Sequence, residues 1–158
     1  MKTAFVITVS DRASTGVYKD LSGELLAHGL IELGYEVTGR CTVKDDIPQI
    51  TEALLSAVQL KTNLIITTGG TGVSPKDLTP EATRPLIKID IPGFSEALRE
   101  FSRSKTPTAD LTRGVAGING NSLIVNLPGS PNAVRDGLVI VKRLAQHIHD
   151  QLAGYDHN

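Results

Sequence analysis

Apolar runs alternate with segments of helical periodicity along most of the chain. Residues 4–9 form an apolar run without a helical period, which is typical of a buried parallel strand. Residues 35–43 and 63–68 are predicted as the second and third strands. Residues 111–127 contain two further extended runs, and the Asn119-Gly120 dipeptide between them favours a tight hairpin turn.

Helices are predicted between these strands, because leucines recur at helical spacing and turn residues mark the helix ends. The predicted helices are residues 21–34, one that Asp46 caps and that ends near Leu60, one that Thr79 caps with Pro80 at its first position, residues 92–103, and a terminal helix after residues 128–131. This order predicts an α/β fold: a three-layer sandwich with a mostly parallel central sheet and an added β-hairpin. We expect a single domain over residues 1–158.

Composition narrows the class of ligand. A formal net charge of −1 gives no basic field, so we expect no nucleic acid partner. No apolar run has membrane-spanning length, and the N-terminus has the pattern of a strand and not of a secretion signal. Cys41, the one cysteine, fits a reducing compartment. We therefore expect a cytoplasmic protein, without membrane contact, that binds a small molecule.

Four polar loops follow predicted strands at one edge of the sheet. They read "SDRASTG", "KDD", "GGTGVSPKD" and "PGSPN". Ligands of open α/β sheets bind outside the carboxyl ends of the strands, so the fold predicts that these loops converge on a site.

The third loop carries Gly69, Gly70 and Gly72. Glycines allow close approach of the backbone to phosphate oxygens. The loop is no Walker loop, since Pro75 precedes the lysine, and no dinucleotide fingerprint, since the same proline replaces the third glycine. Phosphate binding and a glycine-rich turn without a ligand both remain open on this pattern alone.

Two carboxylates near this loop suggest metal-assisted phosphoryl or nucleotidyl transfer. Asp77 would repel a phosphate unless a divalent cation lay between them, and Asp45 ends the second strand at the same edge. Mg²⁺ prefers one or two carboxylates with phosphate oxygens and waters. The alternative is that Asp45 is a turn residue and Asp77 a loop carboxylate; the capping of a helix is sufficient for Asp46.

Other candidates have two interpretations each. Residues 128–130 precede the terminal helix, whose first N–H groups can bind an anion or simply begin the helix. Asp11 and Arg12 are ligand contacts or a solvated ion pair, and Arg113 pairs with an acid or reaches a phosphate.

Long stretches of the chain resemble the MogA/MoaB family of molybdenum-cofactor biosynthesis, to which the plant Cnx and gephyrin G domains belong. The stretches that carry the resemblance are "TVSDRASTGVYKDLSG", "TTGGTGVSPKDLTPEATRP", "IPGFSEALR" and "LTRGVAGINGNSLIVNLPGSPNAV". The resemblance implies a homotrimer and a molybdopterin adenylyltransferase that uses Mg²⁺, ATP and molybdopterin, releases pyrophosphate and hands its product to a molybdate-inserting enzyme. Lys44 and Thr112 stand where the family pattern has proline and serine.

The resemblance also implies roles for individual residues. Asp45 and Asp77 match the catalytic aspartates that hold Mg²⁺, and Thr112 with Arg113 would hold the terminal phosphate of the pterin. The predicted substrate- and nucleotide-binding residues are Ser10, Asp11, Gly69, Gly70, Thr71, Gly72, Ser74, Thr112, Arg113, Pro128, Gly129 and Ser130. The alternatives to this enzyme are a molybdopterin-binding carrier or scaffold with little turnover, and a nucleotide-dependent transferase with another acceptor.

Overall fold

The computed structural model describes residues 1–155, which form a mixed six-stranded sheet with helices on both faces. The strands are β1 Thr3–Val9, β2 Glu36–Val43, β3 Leu64–Thr68, β4 Ile89–Asp90, β5 Ala116–Asn119 and β6 Ser122–Leu127. The helices are α1 Asp11–Ser14, α2 Leu21–Glu32, α3 Ile47–Gln59, α4 Thr79–Thr83, α5 Pro92–Arg103 and α6 Pro131–Leu152, with 3₁₀ turns at Arg84–Leu86 and Pro107–Leu111. No helix in this part of the chain combines the length and the apolar character needed to cross a bilayer.

The strands lie in the order β2-β1-β3-β6-β5-β4. β2, β1, β3 and β6 are parallel to one another, whereas β5 pairs antiparallel with both β6 and β4. This is the mostly parallel sheet with an added hairpin that the sequence predicted. β3 is buried at every position because helices cover both faces of the sheet, which explains the apolar run of residues 64–66.

Two hydrophobic layers pack on opposite faces of the sheet. One contains Leu26 of α2, Phe94 of α5 and Val141 of α6, and the other contains Leu54 of α3 and Ala82 of α4. The sandwich therefore has three layers, as predicted, and its parallel strands all end at the edge where the polar loops lie.

Side-chain caps mark the points where two of those loops end and the following helices begin. The Asp46 carboxylate accepts a hydrogen bond from Gln49 N at 3.1 Å, as the sequence predicted for the start of α3. Ser130 Oγ accepts one from Ala133 N at 3.1 Å and so begins α6.

Three local expectations differ from the structure. Thr79 is the first residue of α4 and not its cap; Leu78 occupies the cap position without a side-chain hydrogen bond. The hairpin loop is Gly120-Asn121, one residue later than predicted, because Asn119 still pairs with Ser122. The two-residue strand β4 has no sequence pattern of its own, and it exists because β5 offers it an edge.

Candidate functional site

The four predicted loops meet at the carboxyl edge of the sheet and surround a cavity of about 1000 Å³. This volume lies at the upper end of the range for small-molecule sites, roughly 300–1000 Å³. Residues from the ends of β1, β2, β3 and β6 line the cavity together with residues of α5 and of the 3₁₀ turn before β5. The prediction that these loops converge at one edge of the sheet is therefore confirmed.

The glycine loop at the end of β3 has a backbone that only glycine adopts easily. Gly69 and Gly70 have φ values of +106° and +69°. A Cβ at Gly69 would collide with the carbonyl oxygen of Val9, and one at Gly70 would collide with Thr79 Oγ1. The loop is held in place by Gly69 N, which donates to Leu127 O at 2.9 Å. These two glycines thus shape the floor of the cavity.

Asp45 and Asp77 approach this loop at neighbouring glycines. A Cβ added at Gly70 would lie 3.3 Å from Asp45 Oδ1, and one added at Gly72 would lie 2.8 Å from Asp77 Oδ2. Both residues line the cavity. Both carboxylates therefore lie against the glycine loop, and the Asp77 carboxylate also accepts a hydrogen bond from Ser74 N at 2.9 Å.

Burial raises the pKa of Asp45 above its ordinary value, and the charges of Asp11 and Asp77 raise it further. The hydrogen bond from the Asp11 amide and the charge of Lys76 act in the opposite direction. Together these effects make ionisation of the Asp45 carboxyl less favourable than in water. A cation between the carboxylates would relieve this repulsion.

Arg113 braces the glycine loop from behind. Its guanidinium donates to Gly72 O at 2.8 Å and to Asp77 O at 2.9 Å. It also forms two hydrogen bonds to the carboxylate of Glu81 at 2.8 and 3.1 Å, which lower the pKa of that carboxyl. Within residues 1–155, Arg113 is absent from the cavity wall.

A buried polar network supports the same loop from below. Thr79 Oγ1 donates to Gly69 O at 2.8 Å, and Thr83 Oγ1 donates to Thr79 O at 2.7 Å. Asn126 Nδ2 donates to the hydroxyls of Thr67 and Thr83 at 3.0 and 3.1 Å. All four side chains are buried. Sequence reasoning missed this network, and only the unusual polarity of Thr67, Thr68 and Asn126 within apolar strands signalled it.

The start of α6 closes another side of the cavity. Thr68 Oγ1 donates to Pro128 O at 2.9 Å, and Ser22 Oγ donates to Gly129 O at 2.7 Å. A Cβ at Gly129 would lie 3.3 Å from the Cα of Gly69, so the two loops are in van der Waals contact. The positive end of the α6 dipole consequently faces the cavity.

The cavity wall also carries an ion pair, formed by a buried aspartate and a half-exposed lysine, that the sequence did not reveal. Asp136 is 8% exposed and accepts hydrogen bonds from Ser102 Oγ and Lys105 Nζ, both at 2.7 Å. Arg99 and Arg135 line the cavity nearby. The cavity wall thus carries cationic side chains, Arg99, Lys105 and Arg135, as well as the carboxylates of Asp45 and Asp77.

Most of the predicted site residues lie on the cavity wall. The residues that do so are Ser10, Asp45, Gly69, Gly70, Thr71, Gly72, Asp77, Thr112, Pro128, Gly129 and Ser130. Asp11, Ser74 and Arg113 are absent from the wall as residues 1–155 define it. Thr112 Oγ1 donates to Thr71 Oγ1 at 3.0 Å, which ties the segment before β5 to the glycine loop. The role of each residue stays a prediction.

Comparison with known proteins gives this architecture a family context. The family model described as "Probable molybdopterin binding domain" matches residues 5–147. A molybdopterin adenylyltransferase of Helicobacter pylori (strain J99) is 39% identical, with 94% of this chain and 86% of that protein covered. The solved structure of the molybdopterin biosynthesis Mog protein from Mycobacterium ulcerans is 44% identical, superposes with a TM-score of 0.91, and covers 96% of this chain and 99% of its own.

A third comparison concerns a protein from an archaeon. The tungsten cofactor synthesizing protein MoaB from Pyrococcus furiosus is 35% identical, with a TM-score of 0.89 and coverage of 96% of this chain and 97% of that one. The fold is therefore the same in proteins whose names refer to molybdenum and to tungsten.

Proposed function

This chain belongs to the molybdopterin-binding family of the MogA and MoaB proteins, and we propose that it is a molybdopterin adenylyltransferase of molybdenum-cofactor biosynthesis. The reaction transfers AMP from ATP to the terminal phosphate of molybdopterin and releases pyrophosphate. One observation carries the proposal: the carboxylates of Asp45 and Asp77 both lie against the glycine loop, and both residues line a cavity large enough for two small substrates.

The chemistry asks little of the protein beyond positioning and charge stabilisation. A phosphate oxygen of molybdopterin attacks the α-phosphorus of ATP, and the bond to the pyrophosphate oxygen breaks. Gly69 and Gly70 let the backbone approach the phosphates, and the N-terminal end of α6 favours their negative charge. Thr112 would hold the terminal phosphate of the pterin, and its position beside Thr71 on the cavity wall supports this role.

The donor set at the loop fits Mg²⁺ carried by a nucleotide. Among residues 1–155, no group of three or more His, Cys, Asp or Glu side chains is placed to form a metal cage of its own. Mg²⁺ bound with phosphates uses one or two carboxylates and completes its shell with phosphate oxygens and water. Asp45 and Asp77 would hold the ion, which would neutralise the charge of the triphosphate and of the departing pyrophosphate.

We assign Arg113 a structural role, called bracing below: its hydrogen bonds hold the glycine loop in shape. Its guanidinium donors are engaged by Glu81 and by two carbonyl oxygens of the glycine loop. Its effect on catalysis would then run through the position of Asp77. A direct contact between Arg113 and phosphate remains a prediction of the sequence.

The proposal extends to the setting of the enzyme. We propose a single domain over residues 1–158, a homotrimer, a cytoplasmic location, and handover of the adenylylated pterin to a molybdate-inserting enzyme. The continuous sheet of residues 1–155 supports the first point, and the family resemblance supports the others. Sedimentation of the purified protein tests the trimer.

The direct test is incubation of the protein with molybdopterin and Mg-ATP, followed by chromatographic detection of adenylylated pterin. We expect product and pyrophosphate in equal amounts. A protein that binds molybdopterin but forms no product would instead be a carrier or scaffold of the same fold. Turnover with another acceptor, uninhibited by molybdopterin, would indicate a different transferase.

A further inference from the structure

We propose that Asp11 is a positioning residue that holds Asp45 in its working orientation, and not a contact to the nucleotide; this inference rests on the proposed adenylyltransferase function. The sequence placed Asp11 among the binding residues. In the structure of residues 1–155, Asp11 does not line the cavity, and it is hydrogen-bonded to Asp45, which does.

The two aspartates are joined by reciprocal hydrogen bonds. Asp11 N donates to Asp45 Oδ2 at 3.1 Å, and Asp45 N donates to Asp11 Oδ1 at 3.0 Å. Each carboxylate thus satisfies the backbone amide of the other residue. Hydrogen bonds from backbone N–H groups to carboxylates are charge-assisted and stronger than neutral hydrogen bonds. This link therefore restrains the backbone of both residues.

The link lies where the strand ladder ends. The last registered pair of β1 and β2 is Val9 with Val43, and Ser10 N still donates to Val43 O at 2.9 Å. Beyond this point, among the described residues, the segments that follow β1 and β2 form no further strand pairs. The reciprocal pair therefore fixes the backbone at the position from which the Asp45 side chain projects.

The main-chain half of the link determines which Asp45 oxygen faces the glycine loop, while the Asp11 side chain fixes the Asp45 backbone from which that carboxylate projects. Asp45 Oδ2 is occupied by the Asp11 amide, and Oδ1 is the oxygen that lies against Gly70. A free aspartate side chain could rotate and exchange its oxygens. With the link formed, one oxygen is directed at the site where a cation and phosphates would sit.

Asp11 also faces the loop that carries the second aspartate. Its Oδ2 lies 3.8 Å from the Nζ of Lys76, the residue that precedes Asp77 in the sequence. The two side chains are 43% and 79% exposed, so this ion pair contributes little. Lys76 is therefore a suitable control, since it shares the charge environment of Asp11 but takes no part in the link.

Three variants separate positioning from contact. Asp11→Asn keeps an oxygen that can accept from Asp45 N and removes the charge, Asp11→Ala removes the acceptor, and Lys76→Gln removes only the ion pair. Loss of a residue that orients a metal ligand typically costs about 10–100-fold in metal affinity or activity. We expect a loss of this size in kcat and a higher Mg²⁺ requirement for Asp11→Ala, with Asp11→Asn and Lys76→Gln within a few-fold of the unmodified protein. The KM for molybdopterin should stay unchanged in all three.

Amide hydrogen exchange provides a readout that needs no turnover. The Asp45 amide should exchange about five- to tenfold faster in Asp11→Ala, the loss expected for one hydrogen bond, and should stay protected in Asp11→Asn. Thermal unfolding of both variants shows whether they are folded.

A double-mutant cycle with Asp45→Ala completes the test, measured as Mg²⁺-dependent ATP binding. If Asp11 acts through Asp45, adding Asp11→Ala to Asp45→Ala causes no further loss. An additive loss, or equal damage from Asp11→Asn and Asp11→Ala, would overturn the positioning role. Absence of pterin adenylylation in the unmodified protein would instead contradict the proposed function, whatever the exchange data show.

Discussion

Arg113 and Glu81 form a two-point contact 32 residues apart in the chain, with Nη1 to Oε2 at 2.8 Å and Nη2 to Oε1 at 3.1 Å. Since the same guanidinium also holds the carbonyls of Gly72 and Asp77, the contact connects the segment before β5, the glycine loop and α4 in one unit. The shape of the loop therefore depends on residues distant in sequence.

Replacement of this arginine should damage the loop even when the charge is kept. A lysine at position 113 cannot make the forked contact or reach both carbonyls. We expect Arg113→Lys to lower the free energy of unfolding by about 1–3 kcal/mol, the range for lost hydrogen bonds to charged groups, and to reduce kcat. Urea unfolding and steady-state kinetics measure the two effects. Arg84→Lys is the control, because Arg84 contacts the same Glu81 carboxylate from an exposed position; an equal loss there would refute the bracing role.

Glycine at position 70 should be required for activity. In Gly70→Ala the new methyl group would meet Thr79 Oγ1 at a φ of +69°, beside Asp45. We expect strong loss of adenylyl transfer and lower stability. Gly120→Ala is matched in backbone, with a φ of +59° and open space around the new Cβ. It should cost stability through strain alone and leave kcat unchanged; full activity of Gly70→Ala would show that the loop geometry is not needed.

The Thr79 hydroxyl should stabilise the loop from within the core. Thr79→Val keeps the shape of the side chain but leaves the buried Gly69 carbonyl without its donor. The expected cost is about 1–3 kcal/mol in the free energy of unfolding. Thr38→Val removes a longer, 3.3 Å hydrogen bond at an exposed strand position and should be almost neutral. Equal unfolding midpoints for the two variants would exclude the network as a support of the site.

His149, which does not line the candidate site in the described part of the chain, should make the free energy of unfolding depend on pH. Its Nε2 lies 2.8 Å from Tyr35 Oη, the side chain is 2% exposed, and burial lowers its pKa below the ordinary 6.5. Lys2 acts in the same direction and Asp150 in the opposite one. Because the unfolded chain takes up the proton first, stability is full above pH 6.5 and decreases as the pH falls below it.

The pH effect is measured as the unfolding midpoint between roughly pH 5 and 8, the window in which histidine titrates. His149→Gln should remove the part of the slope below neutrality, whereas His28→Gln should leave it in place. A slope that is the same in the unmodified protein and in His149→Gln would assign the pH dependence to other groups.

Much of this fold could be predicted because its signals are local. The apolar run of β1 and the Asp46 cap each follow from a few adjacent residues, and the carboxyl-edge rule then places the loops together. What sequence reasoning missed depends on distant partners. Glu81 was not singled out, Thr79 was predicted as a helix cap, and the hydrogen bonds between Asp11 and Asp45 were not predicted. Each side chain instead bonds a backbone or side-chain group from another loop, and no periodicity reveals such a pairing.

The most direct measurement of the central claim is the transfer of label from [α-³²P]ATP to molybdopterin by the unmodified protein and by Asp45→Asn and Asp77→Asn. Loss of one group that stabilises transition-state charge costs on the order of 10²–10³-fold in kcat, so we expect a loss of that size in each variant, with molybdopterin still bound. Asp46→Asn is the neighbouring control and should retain activity, because asparagine also caps a helix. Equal label transfer in all four proteins, or none in the unmodified protein with pterin bound, would contradict the account.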